Sequence, residues 1–212
     1  GGSAAMNVHG KNAYRVGPIG DHILAFDLML PSGETITCSR DENRDVFFAA
    51  IGGFGMLGVF TSLTLQMKRI YSGLLDVETT TRADLGQMFA YFDEHVAQSD
   101  YTVGWIDSLA TGKHTGRGDV HRAMYLPPDA DPNSAQTLRL DNQHIGPNLF
   151  GVMPRSIMWL FMRPLFNDAG LQLVNTGKYV AGRLGGTKRY RQPHVQFQFL
   201  LDYVPDFKKA YG

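Results

Sequence analysis

Gly1-Gly2-Ser3-Ala4-Ala5-Met6-Asn7-Val8-His9-Gly10-Lys11-Asn12 opens the chain and joins a run of minimal side chains to a cluster of polar ones. Where side chains are this small, a planar or anionic group can approach the backbone closely and accept hydrogen bonds from its N–H groups. Asn7, His9, Lys11 and Asn12 then place further donors beside that backbone. Two readings of the stretch compete on composition alone. It is one wall of a ligand site, or Gly1-Gly2-Ser3 is an expression scar running into an ordinary polar turn. The residues that follow decide between them.

Two β-prone runs, residues 23–30 and 35–37, flank Pro31-Ser32-Gly33-Glu34, whose Pro and Gly supply turn geometry; the pattern predicts a hairpin. Asp41 or Asn43 can cap a short helix over residues 44–51, with Gly52 as its stop signal. Over residues 59–68, Leu63, Leu65 and Met67 alternate with Ser62, Thr64 and Gln66, the signature of a half-buried strand. Gly53-Phe54-Gly55-Met56-Leu57-Gly58 matches G-x-G-x-x-G, but a dinucleotide fingerprint needs a strand before it and a helix after it. Here the order is reversed, and the motif reads as a glycine-rich turn between helix and strand.

The pattern changes after Tyr71, which sets a predicted boundary between domains 1–71 and 72–212. Residues 74–80 read as a strand, and Thr81 with Asp84 resembles a capping box. The box would open a helix whose Leu85, Met88, Phe89, Phe92 and Val96 recur at helical spacing. Residues 101–106 and 119–126 are further strands, 171–183 a helix ended by Gly185-Gly186, and 194–201 a late strand. Residues 127–143 are polar and aperiodic and read as a mobile loop. The expected class is α+β, with an antiparallel sheet layered against helices. Residues 145–166 are rich in large apolar side chains, Ile157 to Met162 without a break, and read as a core helix, or else as a lipid-entry or membrane-surface segment.

Length and composition exclude other classes. A chain of 212 residues with 43% hydrophobic content can bury a substantial core. Lys plus Arg and Asp plus Glu both number 20, so no net field draws the chain to nucleic acid. The single cysteine, Cys38, leaves no internal disulfide and favours a reducing, cytoplasmic setting, with contact through residues 145–166 as the way to a membrane surface. No apolar run approaches the ~20 residues that span a bilayer. The histidines, at 9, 22, 95, 114, 121, 144 and 194, show no metal-ligand spacing, and no metal is expected. Neither a G-x-S-x-G elbow nor a G-x-x-x-x-G-K-[ST] loop occurs, which removes hydrolase and NTPase readings.

The run Asn7-Val8-His9-Gly10-Lys11-Asn12, with Gly20-Asp21-His22-Ile23, Leu30-Pro31-Ser32-Gly33-Glu34 and the stretch from Phe47 through Gly52-Gly53 to Val59, resembles the second half of the flavin domain of FAD-linked oxidases. These are flavoproteins of the vanillyl-alcohol oxidase type, with a PCMH-type FAD-binding domain. With Trp105-Ile106-Asp107 and Asp202-Tyr203-Val204-Pro205, the pattern is most similar to the decaprenylphosphoryl-ribose oxidase branch. The resemblance is dense over residues 1–72 and thinner beyond. It implies the C-terminal part of an FAD-binding domain, followed by an incomplete substrate, or cap, domain. It further implies FAD contacts at Gly1, Gly2, Met6, Asn7, Val8, His9 and Phe60, and substrate contacts at Gly10, Lys11 and Trp105. Lys11 and His9 are the candidate catalytic groups. Solvation of the Lys11 ammonium, a structural role for His9 and a core role for Trp105 are the plain alternatives.

The implied reaction is hydride transfer from a secondary alcohol of a sugar or lipid-linked sugar to flavin N5, with quinone or oxygen as electron acceptor. A C=C reductase resembling the sterol Δ24-reductase branch and a flavin-free binding module are the alternatives. The resemblance also leads one to expect an internal fragment of a longer enzyme, inactive by itself, with the general base following Gly212.

Overall fold

The computed structural model describes residues 1–149 and 152–211. Phe150 of the apolar stretch and Gly212 of the second predicted domain lie outside them. The chain divides into two compact units, Gly1–Arg69 and Ile70–Gly212, and is mixed α/β with antiparallel sheets.

In the first unit, short helices α1 (Gly2–Ala5) and α2 (Ala13–Val16) precede a three-stranded antiparallel sheet in the order β2-β1-β3, built from β1 (Ile23–Met29), β2 (Thr35–Ser39) and β3 (Val59–Leu65). The expected hairpin forms, closed at Pro31-Ser32-Gly33-Glu34 by the Leu30 N–H on the Glu34 carbonyl at 2.8 Å, with Gly33 in the left-handed region (φ 87°). Helix α3 (Arg44–Ala50) follows, but neither predicted cap acts through its side chain. Asn43 sits left-handed (φ 46°) and its Nδ2 donates instead to the Thr37 carbonyl at 2.8 Å, tying the helix start to the sheet.

The alternation expected of β3 is broken. Ser62 lies opposite Asp27 and Phe60 opposite Leu28, which leaves Thr61 as an extra residue. Such a bulge turns residues of opposite parity to one side. Phe60 and Leu63 therefore pack on the core of Ala4, Ile23, Phe26, Leu28, Cys38, Phe47 and Ala50, while Leu65 and Met67 are exposed. Phe26 is the hub: its ring stacks on Phe47 at 5.3 Å and meets Phe60 edge-on at 4.8 Å. We expect Phe26→Ala to cost about 3–5 kcal/mol, the usual range for deleting a buried phenyl ring. Urea midpoints would measure it, and a loss below about 1 kcal/mol would mean that the core closes over the gap.

The second unit carries a four-stranded antiparallel sheet ordered β5-β6-β4-β9, from β4 (Leu74–Arg82), β5 (Tyr101–Ile106), β6 (Gly118–Tyr125) and β9 (Lys188–Pro193). Helix α4 (Leu85–His95) covers one face with Met88, Tyr91 and Phe92; Phe89, assigned inward by spacing, is exposed. Its cap is Asp84 rather than Thr81. Asp84 Oδ1 accepts from the Gln87 N–H at 2.8 Å, while Gln87 Oε1 accepts from the Ala83 N–H at 3.2 Å.

Residues 127–143 are anchored, not loose. Helix α5 (Ser134–Thr137) and the turn beyond it are held by buried Asp131, which accepts from the Ser72 and Thr137 hydroxyls, and by Gln143 Nε2 donating to the Gly73 carbonyl at 2.8 Å. The apolar stretch makes no single core helix. It breaks into β7 (Asn148–Leu149), β8 (Met153–Pro154), α6 (Met158–Met162) and intervening turns, with Leu160 and Phe161 exposed. Pro147, Pro154 and Pro164 remove the N–H groups that a continuous helix would need.

Helix α7 (Asp168–Gly185) is the expected long helix, closed by Gly186 at φ 64°. The late strand is an error of position. Residues 188–193 form β9, and α8 (His194–Gln198) takes the place predicted for the strand. Among the described residues no helix is long and apolar enough to cross a membrane, and no group of three or more His, Cys, Asp or Glu is placed to hold a metal ion.

Candidate functional site

The opening run of the first unit is pinned by its own backbone. The Gly52 N–H reaches the Ala4 carbonyl at 3.0 Å, the Phe54 N–H reaches that of Ala5 at 2.9 Å, and the Ile19 N–H reaches that of Val8 at 2.9 Å. Asn7 is left-handed (φ 44°), a conformation Asn tolerates better than most residues, and its Oδ1 accepts from the Gly20 N–H at 2.9 Å. Gly20 is buried, and a Cβ there would lie 2.6 Å from both Asn7 Oδ1 and Ile51 Cγ2.

That anchoring holds Asn7 partly buried between residues that stay exposed, Met6, Val8, His9 and Gly10. Lys11 is half-buried, and burial pushes its ammonium below the ordinary lysine value. Gly1 stands against Phe60, with the direction of a Cβ 3.9 Å from Phe60 Cβ, and Gly2 faces open space. Gly1, Gly2, Phe60, Met6, Val8 and His9 thus belong to one compact unit, with Asn7 as the peg behind them. A short cleft of about 160 Å³ with mixed polar and apolar lining, from Asn7, Gly20, Asp21, Arg40, Phe48 and Ile51, lies on the peg's side.

The group to be tested is FAD. Two exposed apolar side chains, an imidazole and a partly desolvated ammonium within six residues suit a planar ring system with a polar edge, and the donor set fits.

Trp105 lies in the second unit. On β5 it pairs with Asp119 of β6, and Val103 pairs with His121. Lys178 from α7 places its Nζ 3.6 Å from the centroid of the Trp105 ring and 3.6 Å from Asp119 Oδ2. Asp119 is nearly buried, and its Oδ1 accepts from the Thr81 hydroxyl at 2.7 Å. Burial pushes the Lys178 ammonium down, against the opposing pull of Asp119. Along the same face His121 Nδ1 meets Thr79 Oγ1 at 2.9 Å, and Thr79 Oγ1 meets the Tyr190 hydroxyl at 3.2 Å.

Sequence reasoning missed Lys178 and Asp119: they lie 73 and 14 residues from Trp105 (178 − 105; 119 − 105) in the chain, and only strand pairing and helix packing join them. Asp107, noted beside Trp105, is structural. Burial would raise its carboxyl, but hydrogen bonds from Asn175 at 2.8 Å and Arg117 at 2.9 Å hold it below the usual range and pin α7 to the sheet.

No family model matches the chain. Curated relatives do. A decaprenylphosphoryl-beta-D-ribose oxidase of Mycolicibacterium smegmatis is 25% identical over 217 aligned positions, covering 100% of this chain and 45% of the relative. Cytokinin dehydrogenase 3 of Arabidopsis thaliana is 34% identical over 136, covering 60% of the chain and 24% of the relative. A D-arabinono-1,4-lactone oxidase of Yarrowia lipolytica is 37% identical over 71, covering 34% and 13%. The chain thus spans less than half the length of these relatives, and its homologues are FAD-linked oxidases.

Proposed function

We propose that this chain is part of an FAD-dependent oxidoreductase that oxidises a secondary alcohol of a sugar or lipid-linked sugar, with quinone or oxygen taking the electrons onward. The observation that carries the reading is the exposed run Met6, Val8, His9 and Gly10, anchored through the Asn7–Gly20 hydrogen bond in a chain whose homologues are FAD-linked oxidases. FAD, when bound, supplies the hydride acceptor at N5. Gly1, Gly2 and Phe60 leave room for close backbone approach, and Met6, Val8 and His9 cover the ring. Lys11 and Gly10 border the alcohol. The Lys11 ammonium donates to the substrate oxygen and stabilises negative charge there as the hydroxyl proton leaves, and the His9 imidazole relays that proton toward the base that the resemblance places beyond Gly212. Within the second unit, Trp105 offers a hydroxylated ligand an aromatic surface.

The test is reconstitution. The full-length protein that contains this chain, purified and titrated with FAD, should gain the absorption of a bound oxidised flavin near ~450 nm, and a panel of sugars with free secondary hydroxyls should bleach it anaerobically. Protein that takes up no FAD would remove the reading, and bound flavin that no alcohol bleaches would remove its CH–OH part.

A further inference from the structure

Lys178 stands where Trp105 would meet a ligand. Its ammonium lies 3.6 Å from the indole centroid, well inside the ~6 Å reach of a cation–π contact, so one ring face is already taken. Behind it is a single carboxylate, Asp119, at 3.6 Å, longer than a charge-assisted hydrogen bond of about 2.7–2.9 Å. Asp119 is itself engaged by Thr81, and the packing leaves little play. A Cβ on Gly182, one turn further along α7, would lie 2.2 Å from Thr81 Oγ1 and 3.1 Å from Asp119 Oδ1. The helix therefore sits directly on the β4–β6 pair, and the Lys178 stem is delivered to the indole by a rigid backbone. The Lys178 side chain is 42% exposed, so its head keeps an open side from which a ligand arriving at the indole can meet it. An ammonium carries three N–H donors, and the indole and Asp119 account for two directions.

The geometry points to Lys178 as a substrate-positioning residue: its ammonium clamps the Trp105 indole in one orientation and directs a remaining N–H toward an oxygen atom of a hydroxylated ligand lying beside that ring. This rests on the reading that Trp105 lines the substrate site. Asp119 and Thr81 hold the ammonium in place; among the described residues Asp119 from β6 is its ion-pair partner, and His121 stands on the same face of β6, diagonal to Trp105. In an antiparallel pair such diagonal neighbours stand about 7–8 Å apart. His121 thus places an imidazole along the same face as the indole.

Two measurements on Lys178→Met and Lys178→Arg test the proposal. The first needs no flavin: in a Trp159→Phe background only Trp105 emits, since the chain has two tryptophans. With Lys178 present, raising the pH should change that emission as the ammonium loses its proton, at a pH below that of an ordinary lysine. Lys178→Met should be flat, and Lys178→Arg, which stays charged, should keep the low-pH emission throughout. The second is steady-state kinetics of the FAD-loaded full-length protein with the sugar that best bleaches the flavin. Lys178→Met should raise KM about tenfold, a single charge-assisted hydrogen bond's worth, with kcat within about threefold, and Lys178→Arg should recover most of KM. Wild-type emission and its pH response in Lys178→Met would overturn the clamp. An unchanged KM in Lys178→Met, where Trp105→Ala does raise KM, would overturn the ligand contact. An unchanged KM in Trp105→Ala would instead show that substrate does not lie at Trp105, which fails the underlying reading and the ligand contact with it while leaving the emission result to decide the clamp.

Discussion

Glu78→Gln is expected to destabilise the Ile70–Gly212 unit by about 3 kcal/mol, the low end of what breaking a buried ion pair costs. Glu78 is 4% exposed in the middle of β4. Its Oε1 accepts from Arg122 Nε at 2.9 Å and the Tyr91 hydroxyl at 2.6 Å, and its Oε2 accepts from Arg189 Nε at 2.7 Å and Arg122 at 3.1 Å. One carboxylate thus joins β4 to both neighbouring strands and to α4. Removing its charge leaves the Arg122 guanidinium, 13% exposed, beneath the helix without a counter-ion. Arg189 is 73% exposed and can turn to water, which is why the low end applies.

The same site gives a pH dependence. Burial by itself would raise the Glu78 carboxyl, but the Arg122, Tyr91 and Arg189 hydrogen bonds outweigh it and hold the group at about 2, against an ordinary value of 4.5. A folded pKa below the unfolded one means that the contribution is fully present above about 4.5 and is lost as pH falls toward about 2. Urea midpoints at several pH values across that window should fall in the wild type and run flatter in Glu78→Gln. Parallel curves would show that the carboxylate is not what titrates. Tyr91, pushed up to about 12 by burial and by Glu78, stays protonated throughout and does not contribute.

Glu78 also marks the limit of what could be read from the chain. Elements with local signals were legible. The 31–34 turn has Pro and Gly at the positions that set its geometry, strand β5 is a short run rich in β-prone residues, and α7 has a helical pattern closed by Gly185-Gly186. What failed was set by partners far away in sequence. Strand β9 is written in charge, Lys188-Arg189-Tyr190-Arg191, because it is an edge strand, and the carboxylate that receives Arg189 lies 111 residues earlier. Next to it Val195, Phe197 and Phe199 alternate as a strand would, yet β9 ends at Pro193 and the chain coils, leaving only Phe197 buried in the core with Tyr101 and Ala123. The bulge at Thr61 has no mark in the sequence that separates it from regular alternation. It nevertheless decides that Phe60 faces the core together with Leu63, beside Gly1. At the site the polar run itself was visible. Its peg was not: that Gly20 serves Asn7 follows only from the fold, as does the meeting of Lys178 with Trp105.

Gly20→Val should therefore reduce FAD uptake by about 100-fold, the equivalent of roughly 3 kcal/mol of binding free energy, without dissolving the sheet beneath. Gly20 precedes β1, so the strand order and the Phe26–Phe47 core do not depend on its lack of a side chain. The cost falls on Asn7. With only a Cβ, residue 20 would already meet Asn7 Oδ1 and Ile51 Cγ2 at 2.6 Å, far inside van der Waals contact, and the valine methyls extend further. Overpacking of this kind forces shifts that cost about 1–3 kcal/mol. Ile51 is backed by the core, so the element with freedom to move is the opening run. Once Asn7 withdraws it loses its Gly20 partner, its left-handed conformation has no bond to hold it, and Met6, Val8 and His9 lose their anchor. The affinity would be read from quenching of FAD emission on titration, with far-UV circular dichroism showing whether the sheet persists. Gly33→Ala is the matched control: it is also strained, at φ 87°, but has nothing within 4 Å and lies at the hairpin tip, so it should lose stability and keep FAD. If Gly20→Val keeps its fold and binds FAD as tightly as the wild type, the run held by Asn7 is not the wall of a flavin site.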